Sequence, residues 1–569
     1  MRTNLLKYRL KPASMLLIVL LSVCLMACGN SDKNGDGTDT VATEIDSNKG
    51  QTDEAGTGES ADGKDEKSSP AVGIGDTDGT GQADDTATDE VPSFDIIKGL
   101  KNRGDSNPII VQNFGADPFA MVYGDRVYFY MTADEFEKDA SGNIKENSYS
   151  QIKSIHVVST DDMKNFQDHG FIKVAGSDGA AKWAHNSWAP SAAYKNIDGK
   201  DKFFLYFADN GGGIGVLEGD SPVGPFKDPI GKALISRQMP NCGNVMWLFD
   251  PAVLVDDDGS AYIYFGGGVP EGKASNPGTG RGAKLTDDMI GIDGDVITLD
   301  VPYLFEDSGI HKYNGKYYYS YCTNWNVEAE GKAEYGFTSG QIAVLESDSP
   351  MGPFTYSERV LDNPGSLCGL YGNNHHAIFN FKGQWYITYH SRFLEKKMGV
   401  EHGYRSTFVN AFDYKEDGTI GLIKQSKEGP SQIEWLDPFM ENPAVCAASL
   451  NGLTAEYKEG NSVGFLSLSD INSGDYVEVD GVDFDIKKAM KVKIKADVTD
   501  MAEETKAKIY VRTNFPNGKN LAIVKLDKQY YNVESGCYEA ELLDDIEGVN
   551  FLYFVFEGEG YTVDSWQFE

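Results

Sequence analysis

One pattern returns five times between residues 93 and 445 of this 569-residue chain. It opens at Asp117-Pro118-Phe119, Trp188-Ala189-Pro190, Asp250-Pro251-Ala252, Glu306-Asp307-Ser308 and His375-His376-Ala377. From each opening an alternating apolar stretch runs into a polar or glycine-containing turn, among them Asp198-Gly199, Asp258-Gly259 and Asn314-Gly315. An aromatic strand follows every turn: VYFYMTAD, KFFLYFAD, AYIYFGG, KYYYSYCT and QWYITYH. Alternation flanking a DG or NG pair marks a β-hairpin, because those residues tolerate the positive φ of a tight turn. Hairpins recurring at intervals of roughly 55 to 75 residues indicate radial repetition about an axis. The architecture expected for 93–445 is a five-bladed β-propeller in an all-β chain. A β-helix needs a shorter repeat, and a sandwich does not repeat five times. With 30 Tyr, 29 Phe and 63 Gly, the composition also favours strands and turns over helical bundles.

In a propeller the innermost strand of each blade lines the axis. If the five openings are equivalent, their first residues converge. Asp117, Asp250 and Glu306 then sit together, with His375 and the region of Trp188 completing the ring. A ring of carboxylates repels itself unless it does chemistry or holds a cation. Two carboxyl groups on either side of a scissile bond are the apparatus of glycoside hydrolysis. One, protonated, gives its proton to the leaving oxygen; the other, ionised, takes a proton from water or attacks the sugar. A third acid nearby keeps the pKa of the donor high. The chain carries no HExxH. Asp256-Asp257-Asp258-Gly259 falls at a hairpin tip, where turn chemistry accounts for it.

The chain holds 87 acidic and 51 basic side chains, a net charge of −36, which argues against nucleic acid as a partner. Residues 1–27 read as an export signal: Arg2, Lys7, Arg9 and Lys11 precede an apolar stretch from Met15 to Ala27 too short to span a bilayer comfortably. That stretch ends in Leu25-Met26-Ala27-Cys28, which resembles a bacterial lipobox and implies cleavage before Cys28 and lipidation of its thiol. Residues 28–92 follow as an acidic linker without an aromatic residue, unable to bury enough apolar surface to order itself. The expected protein is extracytoplasmic and monomeric, and meets the membrane only through its lipid. Five cysteines remain, Cys242, Cys322, Cys368, Cys446 and Cys537, with no metal spacing. At most two disulfides could form among them, and free thiols are equally open.

The stretches NFGADPF, NSWAPS, WLFDPAVLVDDDG, LFEDSGIHKYNGKYYYSY, NNHHAIFNFKGQWYITYH and YRSTFVNAFDYKEDGTI resemble glycoside hydrolase family 43 in content and order. The resemblance implies a five-bladed propeller and an inverting mechanism, with Asp117 as general base, Glu306 as general acid and Asp250 as the acid that tunes and orients it. It further implies that His375 lies beneath the active centre beside a bound calcium, with a hydrogen-bonded core histidine as the alternative. Arg405 matches a substrate-contacting arginine, or else makes a structural ion pair. Phe114 and Trp188 are either pocket walls or core; Trp183, Trp247 and Trp325 are weaker candidates for the walls. Removal of α-L-arabinofuranosyl residues from arabinoxylan or a related plant cell-wall hemicellulose is the implied activity, with no organic cofactor. β-Xylosidase, arabinanase and a non-catalytic glycan-binding surface protein are the alternatives.

Residues 446–569 lack the repeat and give short alternating strands such as DYVEVDGVDF, KIYVRT and NFLYFVFEG, as in a jelly-roll sandwich. Their beginning and end resemble carbohydrate-binding module family 6. That resemblance implies a structural calcium with Glu456 and Asp564 among its ligands. The aromatic pair with which that family grips sugar is not evident, so a domain that only packs against the propeller is equally open.

Overall fold

The computed structural model describes residues 94–458, 465–502 and 506–569. The expected export signal, Cys28 and the acidic linker lie outside them. Within them, five antiparallel sheets follow the five repeats. Blade one runs Gly115–Tyr123, Arg126–Ala133, Ser154–Thr160 and Phe166–Lys173, each strand beside the one before it. Blade two takes Trp188–Ile197, Lys200–Ala208, Gly213–Gly219 and Phe226–Lys227. Blades three and four start from Ala252–Val255 and Leu304–Tyr313 and close on Ile292–Thr298 and Thr355–Leu361. Blade five has three strands, His376–Phe381, Gln384–Ser391 and Ser406–Phe412.

The segment before blade one lies where a fourth strand of blade five would run. The Asn107 carboxamide donates to the carbonyl of Val409 at 2.7 Å and accepts from its amide at 2.8 Å. The Ile109 amide donates to the Thr407 carbonyl at 3.0 Å. The first and last blades are thereby laced to each other.

Turn chemistry sets the hairpins. Asp198 and Gly199, Asn314 and Gly315, and Lys382 and Gly383 all have positive φ, the geometry whose twist matches the flanking strands. The repeated SPxGPF loop latches neighbouring blades. Tyr130 of blade one donates its hydroxyl to the Pro222 carbonyl at 2.6 Å, and Tyr264 of blade three does the same to Pro350. Both tyrosines are buried, so each places one polar atom on a defined acceptor in the next blade.

The C-terminal sandwich has one sheet of Ser449–Asn451, Tyr476–Asp483, Val549–Glu557, Lys508–Thr513 and Asn520–Lys525. The other runs Thr454–Glu456, Ser467–Ser469, Thr562–Phe568, Lys491–Asp497, Cys537–Glu541 and Tyr531–Asn532. Val479, Val492, Ile509, Leu552 and Trp566 are buried between them. The junction with the propeller is interlaced. Asn442–Pro443 already pairs with Thr562–Phe568 of the sandwich. Cys446–Ala447 then returns to the outer edge of blade one, against Phe166 and Gln167, before Ser449 re-enters the sandwich. The division expected at 445/446 thus falls inside a crossing. Nearby, the Asn165 side chain exchanges hydrogen bonds with the Asp480 backbone at 2.8 and 2.9 Å. The five cysteines among the described residues are free thiols.

Candidate active site

The innermost strand enters its blade through a bulge. In blade one Ala116 faces Thr132 while Phe119 faces Tyr130, so two residues stand opposite one. Blade two repeats this between Trp188 and Ser191, and blade four between Glu306 and Gly309. At the bulge Asp117, Ala189, Asp250 and Asp307 have φ of 46°, 42°, 50° and 69°, a left-handed conformation that is costly for residues with a Cβ. These four positions are equivalent. The same step back from Ala377, which faces Thr388, reaches His375 in blade five. The axial ring is therefore Asp117, Ala189, Asp250, Asp307 and His375. This corrects the alignment read from sequence: Glu306 and Trp188 stand one residue before the ring. The fourth blade contributes Asp307 to the ring and Glu306 from the preceding position.

Asp117 is almost completely buried, yet Arg405 donates to its Oδ1 at 2.9 Å. Burial alone would raise its pKa; the Arg405 charge outweighs it and holds the carboxyl well below the usual range. The backbone amide of Asp117 donates to His390 Nδ1 at 3.0 Å, while His390 Nε2 lies 2.8 Å from the Asn373 carbonyl. Donation at Nε2 and acceptance at Nδ1 require the neutral imidazole. Arg405 is itself fixed, because Nε and Nη2 both donate to Asp134 at 2.8 Å. Of the two readings of Arg405, the structure takes the ion pair: three guanidinium nitrogens are spent on two carboxylates.

Asp250 and Glu306 go the other way. Both are raised well above the ordinary carboxyl range, first by burial and then by like charge, from Asp117 at Asp250 and from Asp250 and Asp117 at Glu306. Asp250 accepts the Asp307 amide at 2.9 Å and Glu306 the Asn374 amide at 3.3 Å, too little to restore an anion. His375 sits among them, Nδ1 3.8 Å from both Asp117 and Asp250 and Nε2 3.2 Å from Asp307. Its own pKa is lowered, chiefly by burial. One ionised carboxylate and a protonated acid therefore line a single cavity of about 370 Å³. Such a pair can take a proton from water and give one to a departing oxygen.

Comparison with known proteins bears on this geometry. Residues 106–420 match the model of glycosyl hydrolases family 43, and residues 444–569 that of carbohydrate binding module (family 6). An arabinoxylan arabinofuranohydrolase of Paenibacillus polymyxa is 42% identical over 82% of this chain and 74% of its own length. One from Bacillus subtilis is also 42% identical, covering 82% of this chain and 93% of its own. The chain belongs to glycoside hydrolase family 43. A crystal structure of a family 43 arabinoxylan arabinofuranohydrolase from Bacillus subtilis, in complex with cellotetraose, superimposes with a TM-score of 0.77 at 42% identity. It covers 82% of this chain and 98% of that one.

The family 43 pocket has walls that the sequence reading only partly anticipated. Trp188 lines it, its indole N–H donating to the Tyr149 carbonyl at 3.0 Å. Trp247, Phe305 and Tyr149 add further aromatic surface, and Arg392 and Asn373 add polar rim. Phe114 does not: it packs against Phe136 and Tyr404 in a buried cluster beside the site, so of its two readings it is core. Trp183 donates to Asp228 and stacks beside Phe207, away from the cavity. Asp134, His390, His376 and Asp307 escaped the sequence reading. The only signal for Asp307 was its place directly after Glu306.

The sequence reading expects calcium beside His375 and at Glu456 and Asp564. His375 does not fit a calcium shell here, because both ring nitrogens face carboxylates and imidazole is a poor substitute for carbonyl or water oxygen. His375 is buried, and it lines the cavity beside Asp117 and Asp250. In the sandwich, Glu456 pairs in register with Ser467, whose hydroxyl donates to Asp564 at 2.6 Å. The two carboxylates thus flank one serine on neighbouring strands. Among the described residues no group of three His, Cys, Asp or Glu side chains is spaced to hold a metal.

Proposed function

We propose that this protein is an inverting, exo-acting glycoside hydrolase that removes α-L-arabinofuranosyl residues from arabinoxylan or a related hemicellulose. One observation carries the reading: Asp117 is held ionised by Arg405 in the same cavity in which Glu306 is held protonated. In this reading Asp117 takes the proton of the attacking water and Glu306 protonates the departing glycosidic oxygen. Asp250 keeps Glu306 protonated and aligned. A cavity of about 370 Å³, small for a ligand site, suits one terminal sugar and its linkage. The names of the two 42%-identical relatives support arabinofuranose as that sugar and arabinoxylan as the polymer.

Two measurements test the mechanism. The variant Glu306→Gln is expected to lose hydrolysis of a nitrophenyl arabinofuranoside, and unchanged turnover would remove Glu306 from the reaction. The first-formed arabinose should carry inverted anomeric configuration by NMR; retention would make Asp117 a nucleophile. Monosaccharide release from arabinoxylan, arabinan and xylo-oligosaccharides separates the proposed activity from those of an arabinanase or β-xylosidase.

Two further points belong to the same reading. Glu456 and Asp564 would contribute to a calcium site that stabilises the sandwich, supported by their shared serine. A rise in melting temperature on adding calcium, abolished in Asp564→Ala, would support it; no shift would refute it. The lipobox-like Leu25-Met26-Ala27-Cys28 supports a protein anchored by lipid at the cell surface. Metabolic labelling with a clickable fatty acid should mark the wild-type chain and spare Cys28→Ser.

A further inference from the structure

The axial ring holds a third acid, Asp307, for which the two-carboxylate mechanism has no role. It is fully buried and has three polar neighbours. Its Oδ2 lies 2.5 Å from His376 Nδ1, and its Oδ1 accepts the His376 backbone amide at 3.2 Å. The same Oδ1 lies 3.2 Å from His375 Nε2. His376 is backed in turn by Ser320, whose hydroxyl is 2.7 Å from Nε2. Asp307 is thus anchored by one histidine and turned toward the other.

The contacts of His375 are unequal. Nε2 is 3.2 Å from Asp307 Oδ1, whereas Nδ1 is 3.8 Å from both Asp117 and Asp250, too far for a hydrogen bond to either. The Asp117 charge is in addition offset by Arg405 at 2.9 Å. A neutral imidazole has one proton to place, and the close carboxylate decides where it goes. His375 lines the cavity together with Asp117 and Asp250, the two carboxylates nearest its Nδ1.

We propose that Asp307 is a positioning residue of the active site: it fixes His375 as the Nε2–H tautomer, so that Nδ1 presents a lone pair to a hydroxyl of the bound sugar. The bulge that displaces Glu306 by one residue is what brings Asp307 to this place. Without the Asp307 charge the proton is free to move to Nδ1, and the pocket gains a donor where it had an acceptor. A hydrogen bond to a sugar hydroxyl that strengthens as the reaction proceeds shows in kcat more than in KM.

The catalytic half of this proposal rests on the hydrolase reading; the tautomer half does not, and the test keeps them apart. Full-length protein labelled with [15N]histidine is examined by long-range 1H–15N correlation, with the His375 signals identified by their loss in His375→Asn. The Nε2–H pattern is expected for His375. An Nδ1–H or doubly protonated ring would overturn the proposal whatever the activity, and would do so even if no Asp307 variant folds. In Asp307→Asn, kcat on the nitrophenyl arabinofuranoside should fall by about tenfold to a hundredfold, with KM changed by less than about threefold. A folded Asp307→Asn with wild-type kcat would overturn the positioning role.

Discussion

Two clusters of buried acids occupy this chain, and only one of them is a site. Around the propeller axis Asp117, Asp250 and Glu306 line a cavity, with Asp307 buried beside them. At the junction with the sandwich, Glu478 and Asp480 are equally buried but face Lys101 and Lys164. Lys101 donates to the carbonyls of Ser106 and Pro108, and Lys164 lies 3.7 Å from Asp480 and donates to Ser106 and the Gly104 carbonyl. Burial raises carboxyl pKa values in both places. A perturbed acid is therefore not enough to indicate chemistry. What sets the axial cluster apart is an opening, and an arginine that ionises Asp117 beside a Glu306 whose pKa is raised.

The comparison can be broken most sharply by removing one axial acid. Asp117→Asn should reduce kcat/KM by about 10³-fold with little change in melting temperature, as measured by steady-state kinetics and calorimetry. A large loss of stability with modest loss of rate would make the axial cluster resemble the junction. Lys164→Met should do the reverse. It strips a buried partner from Asp480, and chemical denaturation should show a loss of about 2 kcal/mol while kcat of the folded enzyme is kept.

The pH dependence of stability sharpens the contrast further. The pKa of Asp480 is pushed up to about 7 by burial and then by the Glu478 charge. The folded state thus keeps a proton that the unfolded chain releases at lower pH. The contribution of this group to stability is largest below pH 4, declines as pH rises to 7, and is level above. Urea titrations from pH 5 to 8 should show a shallower decline in Asp480→Asn than in wild type. Smaller effects separate wall from core. Trp188→Ala should raise KM by about tenfold through lost sugar contact. Phe114→Leu should cost about 1 kcal/mol of stability and leave KM unchanged.

Much of this was readable from the residues. Five hairpins, their turns and the strands of the sandwich follow from alternation and DG or NG pairs. Asp117 and Asp250 are marked by a following proline in each repeat. The ring was misaligned at Glu306 because the bulge adds a residue only when strand pairing is known, and Glu306-Asp307-Ser308 offers two acids for one place. His390 and Asp134 lie at the ends of second strands, at positions no local pattern marks. The junction cluster joins Lys101 and Lys164 to residues more than 300 positions later, a distance over which periodicity carries no signal. Phe114 shows a related limit, since a wall and a core aromatic share the same local sequence.

The crossing of strand Cys446–Ala447 onto blade one also governs how the molecule can be built during synthesis. Blade one is made early, yet its outermost neighbour emerges only after all five blades have been translated. The segment that closes the ring is likewise made first and has to wait for Thr407 and Val409. The nascent propeller must therefore remain unfinished at both seams until residues 407–447 have been made, when ring closure and the strand that leads into the sandwich fall due almost together.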